Sequence, residues 1–178
     1  HEFMSDELEK ELGKEALLPG QAATFANYTS YSKGINGIMV DIARLTDPDA
    51  IASTDFEFRV GNNNDPTTWA FAPAPLYIEC FPGQGITGGD ETPSDRITIV
   101  WADNDPTTPE REPGSISNQW LQATVMATDN TGLDKPDTFY FGNAIGESGD
   151  NHSTSLPNAL VDDRDADGVQ SHAHDFLN

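Results

Sequence analysis

With 178 residues the chain has the length of one domain with appendages, enough to bury a sizeable core without staples. Thirty Asp and Glu against nine Lys and Arg give a formal charge of −21 at pH 7. That balance excludes nucleic acid and anionic membrane surfaces as partners, because polyphosphate and acidic lipid would be repelled from every side. It admits divalent cations and neutral or cationic partners, and a salt-exposed, generally acidic proteome would account for it equally well.

Residues 1–18 read as a tag or linker helix. His1-Glu2-Phe3 looks like a cloning remnant ahead of Met4, so the chain is expected to be a piece of a longer protein. Leu8, Leu12 and Ala16 recur at near-helical spacing from Ser5 to Leu18, Ser5 can cap, and Asp6 and Glu7 suit the first turn. Pro19-Gly20 ends the run.

From Gln21 onward the grammar is that of strands. Ala23 to Tyr31 and Gly37 to Ala43 are the first two candidates, with Ile38, Val40 and Ile42 on one face of the second. Asp47-Pro48-Asp49 turns the chain. Asp55 to Val60 then alternates Phe56, Phe58 and Val60 with Glu57 and Arg59, a half-buried strand by pattern. Trp69 to Phe71 and Leu76 to Phe81 follow, separated by Pro73 and Pro75 as edge strands or a bulge would be.

A Gly-rich loop over Gly83 to Ser94 leads to a strong strand, Arg96 to Ala102, in which Trp101 is in phase with Ile97 and Ile99 and belongs to the core. After a long loop come Trp120 to Ala127 and Thr138 to Ile145, flanking a break rich in turn formers. Leu121, Ala123, Val125 and Ala127 form the dry phase of the first. Short strands every 8–12 residues or so, with few helices, predict an all-β, antiparallel β-sandwich over 19–149. Asp150 to Asn178 lacks the alternation and reads as an acidic tail.

The tail holds the metal candidates. In one calcium-loop register Asn158 supplies position 5, Asp162 position 9 and Asp165 position 12, with Asp150 reaching in through an enlarged loop. In the other, Asp163, Asp165 and Asp167 fill positions 1, 3 and 5 ahead of Gly168, but His174 stands where a bidentate acid is wanted. His152, His172 and His174 do not have zinc-site spacing.

Cys80 is the single cysteine, between aromatics, and reads as a buried inert thiol. No serine-nucleophile elbow, His-Glu-x-x-His or phosphate loop occurs, so no enzymatic activity is expected. Asn27-Tyr28-Thr29 and Asn151-His152-Ser153 match glycosylation sequons. Flat aromatic rings are the groups that could stack on sugars. Trp69 adjoins a polar loop and Trp120 is out of phase with Leu121 and Val125, so these two are the expected exposed platform, with Tyr28 and Tyr31 beside them.

Ala23 to Ala43, Asp55 to Asn62, Asn118 to Gln122 and the segment Phe139-Tyr-Phe-Gly-Asn-Ala-Ile-Gly146 together resemble a module near the C-terminus of large secreted bacterial proteins. There it commonly precedes a dockerin-like repeat, and Asn158 to Asp165 resembles the first half of one. Length and strand order are similar to cohesin-like and carbohydrate-binding β-sandwiches of jelly-roll type. The resemblance implies an extracellular, non-catalytic accessory module that binds polysaccharide, with calcium as a structural ion. The alternative is a cohesin-type protein-interaction or spacer module without sugar binding.

Overall fold

The computed structural model describes residues 14–87, 92–103 and 114–146. Within them eight strands form two sheets, linked by turns and short 3₁₀ segments: β1 (Tyr28–Thr29), β2 (Gly37–Ile42), β3 (Phe56–Gly61), β4 (Ala70–Phe71), β5 (Tyr77–Phe81), β6 (Asp95–Val100), β7 (Trp120–Val125) and β8 (Asp137–Asn143). The protein is an all-β sandwich. One sheet has the order β1-β8-β7-β3-β4, the other β2-β6-β5. Every pairing is antiparallel except that of β1 with β8, which is parallel.

The two inner faces come from the dry phases of the strands. Ile38 and Ile42 of β2 and Ile97 and Ile99 of β6 meet Phe56 and Phe58 of β3, Leu121, Ala123 and Val125 of β7 and Phe139 of β8 in one cluster. Ile97, Ile99 and Leu121 are fully buried, each worth about 1.5–3 kcal/mol of transfer free energy. Trp101 closes the cluster. Its ring meets Phe58 edge-on at 5.1 Å, and its indole N–H donates to the Pro73 carbonyl at 2.8 Å. A buried indole needs such an acceptor.

The chain between β7 and β8 is tied back to β3 by Asp55. This buried carboxylate accepts from the Ala52 N–H at 2.8 Å, the Thr128 hydroxyl at 2.6 Å and the Asn130 amide at 3.2 Å. Burial pushes its pKa up, but the three hydrogen bonds to the charged form outweigh that, and the net shift is downward.

Two expectations about the first residues need correction. Residues 14–18 are not helical; residues 5–13 lie outside the described part. Leu17 instead exchanges backbone hydrogen bonds with Tyr140, both at 2.9 Å, and Ala16 packs on the core. The outer backbone of β8 needs partners, and that demand overrides the local helical spacing. Nor is the Asn27 side chain open to modification. It is buried, its amide donating to Glu15 O at 3.1 Å and its oxygen accepting from Thr24 N at 2.7 Å.

Candidate functional site

The outer face of the five-stranded sheet carries most of the aromatics singled out from the sequence. Register places Gly61, Trp120, Gly142 and Tyr28 in one row across β3, β7, β8 and β1. The two glycines leave room for rings to lie on the backbone. A Cβ on Gly142 would stand 2.7 Å from Tyr28 Cβ and 3.2 Å from the Trp120 ring, and one on Gly61 would overlap the indole of Trp69. Tyr28 and Trp120 meet edge-on at 6.4 Å, and Trp69 and Tyr140 at 5.9 Å.

These contacts consume the rings. Tyr28 is 4% exposed and Trp69 7%, while Trp120 is half-buried. The Trp69 indole N–H donates to the backbone and side-chain oxygens of Asn63, which is how a polar loop comes to hold a buried tryptophan. Of the four residues, only Tyr31 is open, at 50%. Tyr28, Trp69 and Trp120 are brought to one face, and there they cover the sheet.

The opposite outer face, that of the three-stranded sheet, is built differently. Its cross-strand rows are Gly37–Val100–Tyr77, Met39–Thr98–Glu79 and Asp41–Arg96–Phe81. Met39 is 63% exposed, Tyr77 48% and Phe81 38%. Leu76 and Ile86 are exposed at its margins. Between the apolar groups Arg96 grips Asp41 with two hydrogen bonds, Nε to Oδ1 at 2.9 Å and a terminal nitrogen to Oδ2 at 3.0 Å. Asp41 also accepts from the Ile86 N–H at 3.0 Å, which holds the neighbouring loop against the sheet. A shallow groove of about 470 Å³ runs over Met39, Phe81, Pro82, Gln84, Arg96 and Thr98.

Tyr77 and Phe81 were not singled out from the sequence as surface residues, although the alternation of β5 carries the signal. They share their phase with Glu79, and the other phase, Ile78 and Cys80, faces the core. Cys80 is half-buried, and its thiol pKa is raised by burial first, then by the charges of Asp95 and Asp49. The expected full burial is not found, and the upward shift disfavours the thiolate.

The metal candidates Asp150, Asn158, Asp162, Asp163, Asp165 and Asp167 lie outside the described residues. Among the described residues no three His, Cys, Asp or Glu side chains converge as a metal site would require. Among them, too, no helix is long and apolar enough to cross a membrane. No family model matches the chain, and no curated protein or solved structure matches it either.

Proposed function

We propose that this is a non-catalytic binding module that docks a partner protein through the outer face of the three-stranded sheet. The observation that carries the reading is the make-up of that face: Met39, Tyr77 and Phe81 are exposed around an Arg96–Asp41 pair whose charges are already matched. Methionine, aromatic residues and arginine are the types enriched at protein interfaces. Large apolar side chains left exposed on one face are the kind of surface that interaction sites use. The strongly negative remainder of the chain favours a partner with a neutral or basic rim, which would meet Glu79 on the edge strand β5. The resemblance to cohesin-like modules of secreted proteins supports this reading and its extracellular setting. Calcium, held by the acidic tail, belongs to the same reading as a structural ion.

A second reading is favoured by one feature. Tyr77 and Phe81 stand four residues apart on the same side of β5, about 13 Å at strand rise, a separation that suits a polysaccharide lying along the strand. Trp69 and Tyr28 have no open ring for that purpose.

The test immobilises the wild-type chain and a Tyr77→Ser/Phe81→Ser variant and compares what each retains from a protein mixture and on polysaccharide affinity gels. A protein retained by the wild type and released by the variant supports docking. Retention on a glycan, lost in the variant, would replace the protein partner with a sugar.

A further inference from the structure

The free edge of β2 has a specific donor and acceptor pattern. The Trp101 N–H donates to Asn36 O at 2.8 Å, which sets the phase of the β2–β6 ladder. Ile38, Val40 and Ile42 therefore bond to β6, and Gly37, Met39 and Asp41 turn their N–H and C=O groups the other way. No described residue bonds to those outward backbone groups. β2 is the outermost strand of its sheet. It lacks the usual guards of an edge: no proline, no lysine, and an unbroken register with β6 that contains no bulge. Its one charge, Asp41, is held by Arg96.

Beside this edge the sandwich is open. A groove of about 430 Å³ separates β2 from β1, with Gly37, Ile38 and Met39 on one wall and Tyr28, Tyr31 and Phe141 on the other. An extended strand laid against β2 would send alternate side chains into this groove and the others out beside Met39.

The geometry points to the β2 edge as the place where an extended segment of a partner protein adds as a fourth strand to the three-stranded sheet. This rests on the docking function proposed above and gives the partner's conformation. Main-chain groups on Gly37, Met39 and Asp41 supply the affinity, and the groove supplies the side-chain selection. A second copy of the chain is the wrong occupant, because two bodies of charge −21 repel. The only charged side chain among the described groove residues is Lys14, whose ammonium donates to Phe25 O at 3.0 Å and keeps further donors. The incoming strand therefore carries an acidic residue at the Lys14 end and apolar residues at the alternate positions facing Ile38 and Phe141.

The probe is a blocked peptide of about eight residues, a usual strand length, alternating valine and threonine with one terminal aspartate. It is added to the full chain while amide exchange is followed by NMR. The amides of Gly37, Met39 and Asp41 should slow by roughly tenfold or more at saturation, while those of Ile38 and Val40, already bonded to β6, stay unchanged. Two N-methylated versions, methylated at odd or at even positions, separate strand addition from apolar adsorption. One should bind roughly tenfold more weakly and the other nearly as well as the parent, because a ladder uses alternate residues. Met39→Lys should weaken binding, since lysine guards an edge.

Unprotected edge amides, equal binding of both methylated peptides, or dimerisation through the same amides without peptide would overturn the proposal. Partner capture lost in Tyr77→Ser/Phe81→Ser alongside unprotected edge amides keeps the docking function and removes strand addition. Protected edge amides with no protein captured does the reverse.

Discussion

The indole of Trp69 lies directly on Gly61, on the outer face of β3, with its N–H tied to Asn63. No other residue fits beneath the ring: any Cβ at Gly61 would overlap it. Gly61→Ala should therefore displace Trp69 and cost about 2 kcal/mol, within the usual range for overpacking, and the tryptophan emission should move to longer wavelength. Gly37→Ala is the control. A Cβ there meets Ile99 O at 3.5 Å, an ordinary contact, so denaturant unfolding should be unchanged or slightly stabilised.

Asp55→Asn should lower stability at neutral pH by about 2 kcal/mol, since the amide cannot accept from Ala52, Thr128 and Asn130 as the carboxylate does. The pH dependence follows from the direction of the shift. A folded-state pKa below the ordinary 3.8 means the contribution is fully present above that value and is lost as pH falls through the folded pKa. The gap between wild type and variant in urea midpoints should close as pH falls below about 3.8. A gap that stays constant to the lowest pH at which both fold would show that ionised Asp55 is not the source.

Asn143 joins β8 to both ends of its surroundings. Its amide donates to Thr29 O at 3.1 Å and Tyr31 O at 3.0 Å, and its oxygen accepts from Asn118 N at 2.9 Å. Asn143→Leu keeps the volume and leaves the Asn118 N–H without its acceptor, while Thr29 O and Tyr31 O keep the N–H groups of Ala144 and Gly34. The expected loss is about 2 kcal/mol, with the amides of residues around Thr29 and Asn118 exchanging faster than those of β7. Uniform acceleration across the chain would argue against a local clamp.

Tyr77 and Phe81 are exposed, so Tyr77→Ser/Phe81→Ser should change unfolding free energy by about 1 kcal/mol or less. Thermal scans of the variant establish that any loss of partner binding is not loss of the fold.

The calcium site proposed for the tail predicts that a chelator lowers the thermal midpoint of the full chain and that added calcium restores it. Magnesium in its place should restore less, because a loop with many oxygens suits the larger ion. An unchanged midpoint removes the structural ion.

Each of the eight strands overlaps a segment read as a strand. β1 and β4, two residues each, carry no period, and residues 25–27 of the first segment form a 3₁₀ turn instead. β3 and β7 were legible as alternation, because a strand with one dry face must switch polarity every residue. Trp101 could be assigned to the core for the same reason: it continues the phase of Ile97 and Ile99. Residues 14–18 misled because their spacing is local information, whereas the backbone of Tyr140 that captures Leu17 is more than a hundred positions away in the chain. Trp69 misled in the other direction. A tryptophan beside a polar loop looks exposed until Gly61 and Asn63 are folded under and over it.

Period and polarity along the chain determined most of the inward-facing residues and that two sheets would form. Ala127, expected in the dry phase, is exposed because β7 ends at Val125. Which outer face stays open was decided only by tertiary structure. Cross-strand register puts Gly61 and Gly142 beneath large rings on one sheet and surrounds Asp41–Arg96 with uncovered side chains on the other. Register is a relation between strands distant in sequence, set by the packing of all of them at once, and no single strand's pattern contains it.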